Sequence, residues 1–171
     1  GANFVGGGNL IGLKAGFEAS GGHESNYIGS NAGYQATGWY RSNLIGVGAG
    51  AYGKGTTSNS QYSNIIGPYA GNEASGCAHI NAIGYYAGAS STGNYNQFIG
   101  TNAGKGVVGD DNIEIVSSGA STSIIGSNSD KIHIQNIIVG DTSSKKLAIG
   151  NVGSSNLSPN ATLEILPLSS T

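Results

Sequence analysis

Acidic side chains that could act as a catalytic pair are scarce in this sequence. Among the nine acidic residues of the 171-residue chain, only Asp110, Asp111 and Glu114 lie close together. A glycosidase needs two carboxyl groups about 5–10 Å apart, flanking its substrate. Because adjacent residues of a strand point to opposite faces, we expect Asp110 and Asp111 to form a solvated turn rather than an acid–base pair. The sequence therefore predicts a protein that is not an enzyme and has no catalytic residues.

Residues that bind metals are equally dispersed. His23, His79 and His133 are far apart and lack the spacing of zinc ligands, and the acidic cluster lacks the spacing of a calcium loop. In a symmetric trimer one histidine from each chain could meet on the axis and hold an ion. His133, however, alternates with two isoleucines and is expected to point outward. Cys77 is the single cysteine and is expected to be a small buried residue. We predict no metal and no cofactor.

Aromatic residues offer a clearer binding chemistry. The chain has nine tyrosines, three phenylalanines and one tryptophan, and several of them cluster. Their rigid faces can stack on sugars or anchor a protein partner at low entropic cost. The alternative is that they pack against neighbouring coils or chains, and we favour this alternative for any single one. The candidate receptor-contact residues are Trp39, Tyr40, Arg41, Tyr62, Tyr85 and Tyr86.

These candidates are set in a repeat with the pattern N-x-I-G-x-x-A-G. Copies begin at Asn9, Asn26, Asn43, Asn64 and Asn81, and a sixth copy begins at Gln97. From one copy to the next, the first glycine advances by 17, 17, 21, 17 and 16 residues. A fixed period predicts an elongated array in which each unit packs on the next. The structural positions of the repeat are Ile11, Gly12, Ile28, Gly29, Ile45, Gly46, Ile66, Gly67, Ile83, Gly84, Ile99 and Gly100.

Each unit predicts a short strand that ends at a glycine corner. A helix is unfavourable because glycine costs about 1 kcal/mol in a helix interior, relative to alanine, and every unit carries at least two. We predict an all-β fold, a repetitive β-solenoid, with regular coils over residues 1–106 and an irregular β-rich segment over residues 107–171. The invariant isoleucine and alanine are expected to face the interior, and the glycines to take corners where φ is positive.

Two further features of the repeat bear on its surfaces. The leading asparagines could form a hydrogen-bonded ladder along the axis, or each could simply start a turn. The one long step between units adds four residues within Gly55–Tyr62. An insertion in a solenoid becomes a loop on one face, which is often the binding face.

A single solenoid of this composition is expected to be thin. Ordering 17 residues costs roughly 25 kcal/mol, whereas one buried isoleucine contributes about 1.5–3 kcal/mol and a coil has few large inward candidates. Association of several chains would supply the missing burial. We therefore predict a homotrimer, although the sequence does not itself count the chains.

Composition argues against several other partners. The net charge of −2 gives no field that would attract nucleic acid, and charged residues make up only 9% of the chain. No apolar stretch approaches the roughly 20 residues of a membrane span, so no membrane insertion is predicted. The chain starts within the repeat pattern, without a recognisable secretion signal, and we expect it to be part of a longer polypeptide.

The N-x-I-G-x-x-A-G units resemble the β-rich shafts of bacteriophage tail fibres. Residues 146–150 and 158–165, which read KLAIG and SPNATLEI, are similar to the segment that often precedes a C-terminal intramolecular chaperone domain in such fibres. The resemblance implies a homotrimeric fibre on the virion, joined to other tail or baseplate proteins, that supports attachment to a glycan or protein of the host surface. It also implies a C-terminal chaperone domain, which we expect either to be cleaved off or to lie outside this chain.

Other assignments remain open at this stage. Trimeric autotransporter adhesins, with a shorter repeat, have a similar Ala-Ile-Gly texture, so the alternative location is the bacterial cell surface. An ice-binding solenoid would need a flat Thr-x-Thr rank, and the threonines here are scattered. A polysaccharide depolymerase would need the catalytic carboxylates that the sequence does not offer.

Overall fold

The chain folds into an all-β, parallel β-solenoid of about six turns, without helices among the residues described. The computed structural model describes residues 7–54, 62–116, 127–134, 138–141 and 146–149. Ten strands form one sheet in sequence order. They are β1 (Leu10–Ile11), β2 (Asn26–Ile28), β3 (Asn43–Ile45), β4 (Asn64–Ile66), β5 (Asn81–Ile83), β6 (Gln97–Ile99), β7 (Ile113–Ile115), β8 (Lys131–Ile134), β9 (Ile138–Asp141) and β10 (Lys146–Ile149).

The repeat motif fixes the pairing of the coils. Strands β1 to β8 pair in parallel, and equivalent motif residues lie side by side, as in Asn43 beside Asn64 and Ile45 beside Ile66. A second line of parallel bridges runs along another face of the solenoid, with one residue from each coil. That line consists of Ser20, Thr37, Lys54, Ser75, Thr92 and Val108. Besides the strand and this bridge, backbone hydrogen bonds join successive coils at their corners, such as Asn31 N–H to Leu13 O at 2.9 Å and Gln35 N–H to Phe17 O at 2.8 Å.

The glycine that ends each strand is required by the next coil. Gly46 has a φ of 132°, and a Cβ at this position would lie 2.5 Å from the carbonyl oxygen of Gly67. Gly29 and Gly67 have the same conformation and the same close approach to the following coil. A side chain is excluded here both by the backbone conformation and by the spacing of the coils. The expected role of these glycines is confirmed.

Three columns of corners occupied mostly by residues other than glycine also have the left-handed conformation. All described residues other than glycine with positive φ fall into three columns along the axis. The first corner column is Lys14, Asn31, Gly48, Tyr69, Tyr86 and Asn102. The second is Glu18, Gln35, Tyr52, Glu73, Ser90 and Gly106. The third is Glu24, Arg41, Tyr62, His79, Tyr95, Asp111 and Asp130.

The interior is filled by the variable residue of the motif, not by the isoleucine. Tyr27, Leu44, Ile65, Ala82 and Phe98 follow the leading Asn or Gln and are completely buried. The isoleucine that comes next lies on the outer face of the strand, because successive side chains alternate. The prediction that it faces inward is wrong by one residue. The motif alanine does face inward, and it is buried in the coils from Ala32 to Ala103.

Outside the strands, the same interior takes Trp39, Cys77 and Val107. Cys77 is therefore the small buried residue that the sequence predicts, and its thiol lies 3.3 Å from the carbonyl oxygens of Ser75 and Ser91. Many of the remaining core residues are alanines, so the core is narrow. Its narrowness follows from a coil with only one or two large inward side chains.

The stacked pairing continues past residue 106, where the connections between strands vary more in length. Strand β7 pairs with β6, and β8 pairs in parallel with β7. Strands β9 and β10 then add antiparallel pairs, so the solenoid pattern changes to a meander after Ile134. Most of the Gly55–Tyr62 insertion and the whole of residues 158–165 lie outside the described residues.

Candidate functional site

The six aromatic and arginine candidates do not form one site. Trp39 is 0% exposed and lies in the core, so its proposed role in receptor contact is wrong. Its backbone carbonyl accepts a hydrogen bond of 2.9 Å from the hydroxyl of Ser25 in the preceding coil. Trp39 lies two residues before a left-handed corner, at a position where the chain turns its side chains inward. The other five candidates reach the surface in two groups.

The first group lies along the third corner column. Arg41 donates from Nε to Glu24 at 2.7 Å and from a terminal nitrogen to the Tyr62 hydroxyl at 2.8 Å. The guanidinium also lies over the Tyr40 ring, 4.8 Å from its centroid. These contacts hold Arg41 and Tyr62 in place across three coils. The pKa of Arg41 is raised, first of all by its hydrogen bond to Glu24, so the side chain stays charged.

The same column continues as a stack of rings. Tyr62 lies 5.9 Å from the His79 ring, and His79 stacks on Tyr95 at 4.8 Å with an interplanar angle of 15°. Sequence reasoning missed His79 and Tyr95 because only the coil register shows that they share a column with Tyr62. The sequence did contain a signal for this column: His79 and Tyr95 precede the next copy of the motif by the same number of residues as Tyr62 does. The third corner column thus presents a continuous aromatic edge to solvent.

The second group surrounds Tyr69 on the first corner column. Tyr69 stacks on Tyr86 at 5.1 Å, and Tyr85 meets both rings edge-on at 6.3 and 4.6 Å. The ammonium of Lys105 lies 4.9 Å from the centroid of the Tyr86 ring. Tyr69 is a member that the sequence analysis did not select. This cluster therefore combines two stacked rings, one ring perpendicular to them, and a cation over the Tyr86 ring.

The conformation of the exposed tyrosines supports a surface role. Tyr52, Tyr62, Tyr69, Tyr86 and Tyr95 all have φ values between 54° and 60°. A bulky residue in this region is strained, whereas Gly or Asn is tolerated readily. Gly48 and Asn31 occupy equivalent corners and show that small residues suffice for the fold. The tyrosines are therefore not explained by backbone requirements, and such strained residues concentrate at functional sites.

A cleft opens beside these corners at the third coil. It has a volume of about 300 Å³ and lies between the first and second corner columns. Gly48 and Ala51 form its floor, where the neighbouring coils carry larger side chains. Tyr34, Tyr52 and Tyr69 stand around it. The remaining lining residues are polar: Lys14, Asn31 and Asn72. Sequence analysis did not find this cleft, because the cleft exists only where Gly48 and Ala51 carry no large side chain.

The outer face of the solenoid sheet combines amides with apolar side chains. Each motif asparagine donates from Nδ2 to the side-chain oxygen of the next, from Asn9 through Asn81 to Gln97, at 2.7–3.0 Å. The ladder interpretation of the leading asparagine is thus confirmed. Beside the ladder runs the row of motif isoleucines, and Ile66, Ile83 and Ile99 are 37%, 42% and 43% exposed. We call this row the isoleucine stripe.

The titratable groups in the core are held apart from solvent. His133 points inward, not outward as predicted, and its Nδ1 lies 3.1 Å from Glu114 Oε1. The other carboxylate oxygen of Glu114 accepts the Gly104 N–H at 2.7 Å. The prediction for His133 failed for the same reason as that for the isoleucines, namely the strand register. Because both side chains are enclosed, the pair has no open route to a substrate.

The buried thiol of Cys77 and the buried hydroxyl of Tyr27 stay protonated at neutral pH and are therefore unreactive. Burial raises the pKa of the Cys77 thiol to about 11, and burial likewise raises the pKa of the Tyr27 hydroxyl above its usual value. A neutral thiol is a poor nucleophile and a poor metal ligand. Over the described ranges, no three His, Cys, Asp or Glu residues come together in a way that could hold a metal ion. Asp110 accepts a hydrogen bond from the Asn94 N–H in an exposed turn.

Comparisons add no assignment. No family model, no curated protein and no solved structure matches this chain. Nor does the part of the chain given by the structure contain a helix with the length and apolar character needed to cross a bilayer. The functional interpretation therefore depends on the surfaces described above.

Proposed function

We propose that this chain is a segment of a bacteriophage tail fibre that associates as a homotrimer and supports attachment of the virion to the host cell surface. The role is structural and adhesive, not enzymatic. The resemblance of the repeat to tail-fibre shafts suggests the fibre, and the regular stacking of coils gives a rod-like element suited to it. Two surfaces support the two halves of the proposal: the isoleucine stripe for association, and the tyrosine corners for attachment.

The isoleucine stripe is the observation that carries the association. An apolar row of this regularity on the outside of a solenoid is unusual for a surface that faces only water. Ile11, Ile66, Ile83 and Ile99 are 58%, 37%, 42% and 43% exposed, which is equivalent to nearly two whole isoleucine residues per chain. Covering that surface stabilises each chain by roughly 3–5 kcal/mol at about 1.5–3 kcal/mol per isoleucine.

A sister chain is the partner that fits this stripe. The stripe carries no charge, and its repeat distance is that of the coils themselves, so an identical copy matches it in register along the whole array. In the asparagine ladder beside the stripe, each inner side-chain oxygen accepts one hydrogen bond and each amide nitrogen donates one, so an interface would need to accommodate only the second amide N–H of each residue. Three copies meeting along their stripes make the trimer proposed here.

The tyrosine corners are the attachment surface in this proposal. They lie in the connections on either side of the strands that carry the stripe, not within those strands. Arg41 and Tyr62 are held by mutual contacts, so they lose little entropy when a partner binds. The alternative is a trimeric adhesin on a bacterial surface, for which the same two surfaces would serve. The proposed partners are other tail or baseplate proteins and a glycan or protein of the host.

Association and attachment are tested with separate variants. Ile66→Thr combined with Ile83→Thr keeps β-branched residues in the strands while removing apolar surface, and Val108→Thr is the control at an exposed residue on the other line of bridges. Light scattering should give the trimer mass for the natural chain and the control, and a lower mass for the double variant. A natural chain that is monomeric at micromolar concentration contradicts the trimer.

Attachment is measured as retention of the fluorescently labelled chain on intact bacterial cells. We expect retention on cells of some strains, and a loss of retention when Tyr62 and Tyr86 are both replaced by Asn, which is tolerated at left-handed corners. Absence of retention across a broad strain panel would count against an adhesive role.

A further inference from the structure

The cleft at the third coil is a concave feature of the described surface that the association does not use. It exists because the first corner column contains Gly48 where adjacent coils have Asn31 and Tyr69. Three residues further along the same coil, Ala51 occupies the position where adjacent coils have Tyr34 and Asn72. Two small residues in one coil therefore remove the side chains that would fill the space, and their larger neighbours become its walls.

From this geometry we propose that the cleft is a binding site for one pyranose ring of a carbohydrate. The inference rests on the proposed attachment function and names the ligand class and the place. The volume of about 300 Å³ is at the lower end of the range for small-molecule sites, which fits a single ring rather than an extended chain. At about 30 Å³ per water molecule, a ring would displace roughly ten waters.

The walls supply the two kinds of contact that a sugar needs. Tyr34 and Tyr52 lie with ring centroids 5.5 Å apart at an interplanar angle of 72°, so they form two sides of a corner rather than a closed stack. An aromatic face in that arrangement can pack against the C–H face of a pyranose. Such packing needs a rigid platform, and Tyr34 is held on its other side by stacking on Phe17 at 5.6 Å.

Polar groups around the tyrosines match the hydroxyls of the ring. Asn31 and Asn72 each bring a side-chain amide, which can donate and accept hydrogen bonds. The Asn72 amide donates only a long bond of 3.2 Å to the carbonyl oxygen of Ala51. Lys14 lies at the rim, 5.9 Å from the Tyr34 ring centroid, and adds one positive charge. A few placed polar groups over an apolar wall are typical of a site for a small polar ligand.

Binding is tested on the full chain with four soluble probes: methyl glucoside, methyl galactoside, N-acetylglucosamine and glucuronate. Saturation-transfer NMR detects the millimolar affinities expected of one ring in an open cleft. Tyr52→Asn removes one wall, and we expect it to weaken binding at least tenfold. Ser90→Asn is the matched control, because Ser90 lies in the same corner column as Tyr52, two coils away, is exposed and has a similar φ of 53°. It should leave binding unchanged.

A second variant fills the cleft instead of removing a wall. Gly48→Asn introduces the residue that Asn31 and Asn102 already place in the same column, and the new Cβ would meet the Tyr69 ring at 2.8 Å. We expect it to abolish binding of the same probes. Gly106→Asn is its control, since a Cβ there meets nothing within 4 Å. Circular dichroism verifies that all four variants retain the β-solenoid.

The outcomes separate this inference from the attachment function. Loss of probe binding in Tyr52→Asn and Gly48→Asn, with both controls intact, supports the cleft even if the chain is not retained on cells. Failure of every probe to bind, or equal binding by Tyr52→Asn and the natural chain, overturns it. If cell retention persists in Gly48→Asn but is lost on replacing Tyr62, attachment stands and uses the third corner column instead.

Discussion

Replacing Gly46 by alanine is expected to unfold most of the protein, although it adds only one methyl group. The new Cβ would lie 2.5 Å from the carbonyl oxygen of Gly67 in the next coil. Carbon and oxygen normally approach no closer than about 3.3 Å. The two coils would therefore have to separate by close to 1 Å. At that place they are joined to their neighbours by short hydrogen bonds, Gly46 N to Ile28 O at 2.8 Å and Gly67 N to Ile45 O at 2.7 Å.

The cost has three parts. Alanine at a φ of 132° is strained by about 1–3 kcal/mol. Forcing a methyl group into a filled space costs about 1–3 kcal/mol more. Loosening two backbone hydrogen bonds adds about 0.5–1.5 kcal/mol each. We expect a loss of about 3–9 kcal/mol in the free energy of unfolding, which is comparable with the whole stability of many domains.

Gly76→Ala is the matched control for this effect. Gly76 also has a positive φ, 66°, but a Cβ there meets nothing within 4 Å. Its cost should be limited to the backbone strain, about 1–2 kcal/mol. Urea unfolding followed by circular dichroism, at one fixed protein concentration, measures both variants. Equal losses for Gly46→Ala and Gly76→Ala would refute the close stacking of coils on which the reasoning depends.

Three other perturbations test separate parts of the structure. Asn64→Ala removes two ladder bonds of 2.8 and 3.0 Å and should lower the free energy of unfolding by about 1–3 kcal/mol in the same urea assay. Asn9→Ala removes one exposed ladder bond and should cost less than half as much. Equal costs for the two variants would argue against an interior ladder. Glu114→Ala leaves the Gly104 N–H and His133 without the carboxylate and should lower the free energy of unfolding by about 3–5 kcal/mol, measured by thermal unfolding. Glu114→Gln keeps one acceptor and should lower it less. An Ala variant as stable as the Gln variant would contradict this geometry. Burial raises the pKa of Cys77 from about 8.5 in the unfolded chain to about 11 in the folded protein. The contribution of the thiol to stability is therefore complete below about pH 8.5 and is lost as the pH rises to about 11, at up to about 1.4 kcal/mol per pH unit. The free energy of unfolding of Cys77→Ala should decline less steeply in this window, and an identical decline would show that the thiol is not responsible.

The fold followed from the sequence because its strongest signal is local and repeated. A short apolar run before glycine occurs six times at nearly constant spacing, and no helix tolerates that much glycine. What the pattern did not determine is which side of the strand faces inward. Ile65 and Ile66 are chemically identical, yet one is buried and the other is 37% exposed. Invariance of the isoleucine suggested a core position, whereas the core is the position that varies.

The same register error explains His133. With Ile132 and Ile134 assumed inward, alternation placed the histidine outside, and the structure reverses all three. An inward histidine is acceptable because Glu114 occupies the equivalent position in the neighbouring strand and faces it at 3.1 Å. That pairing depends on the alignment of two strands 19 residues apart in sequence, which the irregular spacing after residue 106 does not reveal.

The candidate sites were predictable in composition but not in position. The sequence offered tyrosines as candidates for receptor contact, and Tyr62 and Tyr85 are exposed, whereas their binding of a partner stays a prediction. Trp39 was selected with Tyr40 as one cluster, although the chain turns between them and buries the indole. The cleft beside Tyr52 depends on the absence of side chains at Gly48 and Ala51. A small residue indicates a cleft only when the residues of adjacent coils are known to surround it.

The most direct test of the account is the mass of the natural chain in solution. Multi-angle light scattering on the purified protein at micromolar concentration should give three times the chain mass of 17.0 kDa. The measured mass should fall toward that of a single chain in the variant in which Ile66 and Ile83 are both replaced by threonine. A natural chain that elutes as a stable 17.0 kDa monomer, with its isoleucine stripe open to water, would contradict the association that the proposed fibre requires.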